Sequence, residues 1–204
     1  MAAESTNRYK IKFEEAKVEI SVIYIHGFGS SGFGVKAELF RQYFKSRGVQ
    51  FLAPSLSYVP QLAMQTLTEI AKCCKNPVFI GSSLGGFYSL YLANKFDTKA
   101  VLINPALYAE STLRRHIKGY ATNFYDLSRF EWNDNHLSML KKYKVDSPKE
   151  ENLFVLLQKG DDILDYRDAL ALLPNAKVVV EEGGSHSFDG IERYFAQIEA
   201  FLLA

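Results

Sequence analysis

Pro77-Val-Phe-Ile-Gly-Ser-Ser-Leu-Gly-Gly-Phe-Tyr-Ser-Leu-Tyr-Leu-Ala93 is the stretch whose reading decides the fold. Its first four residues are apolar on both faces, as in a buried strand of a parallel sheet. From Phe87 onward, Leu90, Tyr91 and Asn94 recur at helical spacing, with Leu92 and Ala93 as good helix formers. Between the two lies Gly81-Ser-Ser-Leu-Gly85. Strand, Gly-x-Ser-x-Gly turn and helix in immediate succession form an elbow that lifts a serine hydroxyl clear of a sheet edge.

The spacing selects the serine. A side chain two positions before or after it would collide with the neighbouring strand and helix, and Gly81 and Gly85 carry none. That singles out Ser83 over Ser82 as the nucleophile. The N–H of Leu84, opening the helix, then points to where an oxyanion would form.

Upstream, an apolar strand over residues 18–25 runs into His26-Gly-Phe-Gly-Ser-Ser-Gly32. No Gly-Lys-Ser/Thr follows, so this glycine-rich loop is not a P-loop. A His-Gly-aromatic run directly after a strand supplies a second oxyanion donor, here the N–H of Phe28, with Gly27 keeping the backbone close. His26 reads as an organiser of the loop. Helices follow at 36–47 and 61–74, with a strand at 49–53 between them and a weak alternating edge strand at 9–15. A buried strand at 99–103 ends at Asn104-Pro105. This alternation of strand and helix predicts a parallel sheet with helices on both faces.

From 106 to 148 the alternation breaks. The segment is polar and aromatic together, reads as helices at 107–118 and 134–142 without a strand, and is expected to be a lid inserted into one domain spanning 1–204. After it, a buried strand at 152–158 delivers Lys159-Gly-Asp-Asp-Ile-Leu-Asp-Tyr-Arg167. A short helix at 168–173, a strand at 176–180, the turn Glu181-Glu-Gly-Gly-Ser-His186 and a closing helix at 191–202 complete the chain, with Asp189 as a candidate cap for that helix.

A serine hydroxyl needs a base, and the base a carboxylate to orient it. His186 is the one histidine beyond 106–148, and it sits in a glycine-rich turn at a strand end. Among Asp161, Asp162 and Asp165, the first after the strand, Asp161, is the favoured acid. Asp165 competes as the cap of the next helix and Asp162 as a solvent-facing residue.

Composition excludes other classes. With 204 residues and 48% hydrophobic content the chain suits one globular core. A net charge of +1 offers no basic field for nucleic acid. No apolar run approaches the ~18 residues of a membrane span, and the first residues lack a signal-peptide core. Cys73 and Cys74 are adjacent, which precludes an ordinary disulfide and points to a reducing, cytoplasmic setting. The four histidines lie on separate segments, without metal-ligand spacing.

With these pieces in place the chain resembles the small bacterial YqiA-type esterases of the α/β-hydrolase superfamily. The resemblance rests on His26-Gly-Phe-Gly-Ser-Ser31, Gly81-Ser-Ser-Leu-Gly-Gly-Phe-Tyr88, Asn104-Pro-Ala106, Gly160-Asp-Asp-Ile-Leu-Asp-Tyr-Arg167 and Glu182-Gly-Gly-Ser-His186. It implies an α/β-hydrolase fold with a small helical lid. It also implies esterase or thioesterase activity on small molecules through Ser83, Asp161 and His186, without a cofactor. The chain differs in its longer N-terminal arm, up to Val18, and in the lid. Two alternatives remain: an acyl-CoA thioesterase, with Arg114, Arg115 and Lys118 meeting phosphate, and a non-catalytic binding protein on the same fold.

Overall fold

The computed structural model describes residues 19–204; the strand expected at 9–15 lies outside them. Six parallel strands form the central sheet in the order β2-β1-β3-β4-β7-β8. They are β1 (Ser21–Ile25), β2 (Gln50–Leu52), β3 (Pro77–Ser82), β4 (Ala100–Ile103), β7 (Leu153–Gln158) and β8 (Lys177–Glu181). Five helices alternate with them: α1 (Val35–Ser46), α2 (Pro60–Cys73), α3 (Leu84–Phe96), α6 (Tyr166–Leu172) and α7 (Phe195–Leu203).

Strand periodicity divides the core in two. Val22 and Tyr24 of β1, Val101 and Ile103 of β4, and Phe154 and Leu156 of β7 pack with Phe40 and Phe44 of α1 and Ile198 and Leu202 of α7. Their neighbours Ile23, Ile25, Ala100, Leu102, Leu153 and Val155 point the other way, onto α2, α3 and Ala169 of α6. Successive residues of a strand face opposite sides, so strands apolar throughout demand helices on both faces. That is the architecture the alternation predicts.

From β1 the chain moves out to β2, then returns to pair β3 against the other side of β1. The reversal opens a crevice at the carboxyl ends of β1 and β3, where open α/β sheets carry their ligands. Ile25 and Gly81 are register partners there. β7 and β8 end level as well, with Gln158 opposite Glu181. Because every pair in the sheet is parallel, all six strands end at this one edge.

The segment 106–148 departs from expectation. It holds α4 (Ala109–His116) and α5 (Asp134–Lys141), but also an antiparallel hairpin of β5 (Gly119–Thr122) and β6 (Arg129–Trp132). The insertion is thus mixed, not helical. Arg129-Phe-Glu-Trp132 alternates exposed and buried, the pattern of a strand with one face on a core. His136 closes the capping box of α5, its Nδ1 accepting from the Asn133 N–H at 3.1 Å.

The closing helix also begins differently from expectation. Residues Ile191–Tyr194 form a 3₁₀ turn that leads into α7, and Asp189 does not cap it. Left-handed Gly190 intervenes, and the Asp189 carboxylate accepts from Ser185 Oγ at 2.8 Å instead. No helix among the described residues is long and apolar enough to cross a membrane.

Candidate active site

Ser83 stands between β3 and α3 with φ 55° and ψ −121°, a conformation that costs a non-glycine residue on the order of 1–3 kcal/mol. Bonds on both sides hold it there: its N–H donates to the Ile103 carbonyl at 3.0 Å, and its carbonyl accepts from Gly86 and Ala106 at 2.9 and 3.0 Å. The flanking glycines are sterically required. A Cβ on Gly81 would lie 2.1 Å from the Gly85 carbonyl oxygen, and one on Gly85 would lie 1.9 Å from that of Ile25. Both obstacles are backbone and cannot yield.

His186 Nε2 lies 3.0 Å from Ser83 Oγ, and its Nδ1 lies 2.8 and 3.0 Å from the two carboxylate oxygens of Asp161. A carboxylate accepts only, so Nδ1 carries the proton and Nε2 is left to accept from the serine hydroxyl. The Asp161 side chain is 3% exposed and its Oδ1 also accepts from the N–H groups of Ile163 and Leu164, both at 2.9 Å. The other two aspartates are elsewhere. Asp162 is exposed. Asp165 caps α6, accepting from the Arg167 N–H at 3.0 Å, and pairs with the Arg167 guanidinium, which pulls its carboxyl down to about 2.

The loop after β1 abuts the serine. A Cβ on Gly27 would lie 3.2 Å from that of Ser83. The N–H groups of Phe28 and Leu84 donate to no group among the described residues, leaving both free for a ligand. His26 is buried and organises the turn, its Nδ1 donating to the Gly27 carbonyl at 2.8 Å and its Nε2 accepting from the Leu56 N–H at 3.0 Å. Burial holds its pKa below the usual imidazole value.

The hairpin braces this loop. The Phe28 ring meets Phe130 and Trp132 edge-on, with centroids 5.5 and 4.7 Å apart, and the Phe124 N–H donates to the Gly29 carbonyl at 2.7 Å. Ser83 and His186 open on a cavity of about 810 Å³ rimmed by Phe33, Phe124 and Tyr125. Arg114, Arg115 and Lys118 do not line it. Arg114 pairs with Glu110 and Asp134 on the solvent side.

Two residues tie the site together in a way their sequence context does not reveal. Asn104 is more than a strand stop: its amide donates to the carbonyls of Ser185 (2.9 Å) and His186 (3.2 Å), and its oxygen accepts from the Gln158 N–H at 3.0 Å. Buried Gln158 accepts from the N–H groups of Ser185 and Asp189 at 3.1 and 2.8 Å. A glutamine closing an otherwise apolar strand was the available signal, since a buried amide requires partners. Gly184, at φ 77°, lets the loop pass: a Cβ there would lie 2.1 Å from Gln158 Oε1. Among the described residues no cluster of His, Cys, Asp and Glu has the grouping to hold a metal ion.

Residues 21–203 match the model of the uncharacterised protein family UPF0227. A UPF0227 protein of Vibrio campbellii is 24% identical over 186 residues, 88% of this chain and 98% of that one. Among solved structures, a putative hydrolase from Agrobacterium vitis aligns with a TM-score of 0.75 at 19% identity, over 90% of this chain and 88% of the other. Ferulic acid-bound Est1E of Butyrivibrio proteoclasticus aligns with a TM-score of 0.72 at 16% identity, over 94% and 91%. Such identities speak to fold, and the fold is that of the α/β hydrolases.

Proposed function

The chain belongs to the UPF0227 family, and on the geometry of its site we propose that it is a serine hydrolase cleaving small ester or thioester substrates through an acyl-enzyme on Ser83. The observation that carries this reading is the unbroken chain from Ser83 Oγ through His186 to the buried carboxylate of Asp161. A serine is a weak nucleophile until a neighbouring base takes its proton. Here the base lies within hydrogen-bonding distance, and its other nitrogen is held in the required tautomer.

In this mechanism His186 Nε2 takes the Ser83 proton as Oγ attacks the substrate carbonyl. The N–H groups of Phe28 and Leu84 hold the oxyanion; such donors are worth roughly 3–4 kcal/mol each where one has been removed. The imidazolium then gives its proton to the departing alcohol or thiol. Water, deprotonated by His186, hydrolyses the acyl-enzyme and restores the serine.

The 106–148 insertion acts as the lid, its hairpin bracing the Phe28 loop while Phe124 and Tyr125 stand over the cavity. An ester reading stands ahead of an acyl-CoA one, because Arg114 is already paired with carboxylates away from the cavity. Replacing Ser83 by Ala tests the proposal: aryl-ester hydrolysis should vanish with the thermal transition intact, and undiminished turnover would refute it.

A further inference from the structure

The loop that carries His186 shows an unusual run of contacts. Three successive carbonyl oxygens, of residues 185, 186 and 187, each accept from a side-chain donor. Asn104, at the end of β4, supplies the first two, and the Lys36 ammonium, in the first turn of α1, supplies the third. Lys36 reaches this loop from the α1 side of the sheet and lines the same cavity as Ser83 and His186.

A half-buried ammonium is expensive unless it does something an apolar side chain cannot. Lys36 forms no ion pair within 4.0 Å among the described residues. Its charge is drawn instead to the carboxylates of Asp161, after β7, and Asp189, after β8. A methionine, unbranched like lysine and one atom shorter, would fill most of the place without that cost.

We propose that Lys36 is a positioning residue for His186, its charged ammonium clamping the Ser187 carbonyl so that the imidazole stays within reach of Ser83. The inference rests on the serine-hydrolase reading above. The clamp depends on charge, since an ionised donor bonds roughly twice as strongly as a neutral one.

Burial pulls the Lys36 pKa down to about 8, against the attraction of Asp161 and Asp189. Asp161 and Asp189 are the charges that act on it, and the other titratable groups lining the cavity with it are His186, Glu192 of the 3₁₀ turn, Tyr24 of β1 and Tyr125 of the hairpin connection. The sign follows: below about pH 8 the ammonium is charged and the clamp holds, and as pH rises through about 8 it weakens.

The test is the rate at which a fluorophosphonate labels Ser83 between pH 6 and 10, in the native protein and in Lys36→Met and Lys36→Arg. In the native protein the rate should fall as pH rises through about 8. In Lys36→Met it should be about tenfold lower near neutrality, with no fall on the alkaline side. Lys36→Arg, charged throughout the range, should regain part of the rate and also lack the alkaline fall. Native rates in Lys36→Met, or a loss of rate that keeps the alkaline fall, overturn the proposal. Should Lys36→Met fail to fold, an alkaline fall retained in Lys36→Arg overturns it alone. Absence of labelling in the native protein sinks the hydrolase reading itself; labelling of Ser83 with indifferent Lys36 variants sinks only the clamp.

Discussion

The amide of Asn104 bonds the carbonyl of His186 at 3.2 Å across 82 positions of sequence, tying the end of β4 to the loop that carries the imidazole. The same side chain bonds Ser185 and receives the Gln158 N–H, so one residue joins β4, β7 and the turn after β8. Its φ of 39° lies in the left-handed region that asparagine tolerates better than most residues.

Asn104→Ala should therefore cost both stability and activity. Leaving the buried Gln158 N–H without a partner costs about 1–3 kcal/mol, a fall in Tm of roughly 3–10 °C for a chain of this size. The labelling rate of Ser83 at a temperature where the variant is folded should drop further than the folded fraction explains. Circular dichroism melts beside labelling kinetics separate the two. Native rates in the folded variant would contradict the role given to Asn104.

Three aspartates crowd one turn, and the structure separates them. Asp161→Asn should lower aryl-ester kcat by about 10⁴-fold, because the amide no longer fixes the Nδ1–H tautomer. Asp162→Asn should leave kcat essentially unchanged, since that side chain is exposed. Equal losses in the two variants would contradict the role proposed for Asp161.

Phe124 and Tyr125 are 76% and 56% exposed on the rim of the cavity. Exposed aromatic rings at a mouth of this kind are expected to be covered by substrate. Replacing both by Ala should change stability by less than about 0.5 kcal/mol. It should raise KM for an octanoyl aryl ester by about tenfold, equivalent to roughly 1.4 kcal/mol of lost apolar contact, while the acetyl ester is affected little. Parallel changes for both esters would place the rings outside the substrate path.

Much of the fold was legible because the signals were local. The elbow, the doubly apolar strands and the strand–helix alternation each follow from a few neighbouring residues, and together they specify the parallel sheet. Ser83, Asp161 and His186, read from motif and chain order, are brought by the sheet edge into one hydrogen-bonded chain. The hairpin was missed because its strands are four residues each and its connection, 123–128, holds no glycine to announce a turn. Asn104, Gln158 and Lys36 were missed for a different reason. Their partners are distant in sequence, and nothing around a polar residue at a strand end or in the first turn of a helix says which loop will cross it.

Whether Ser83 is an activated nucleophile is read by fluorophosphonate labelling followed by mapping of the modified peptide. Label should fall on the peptide holding Ser83, be absent in Ser83→Ala and be strongly reduced in His186→Ala, with all three proteins folded. Label on another residue, or none on the folded native protein, would contradict the serine-hydrolase reading.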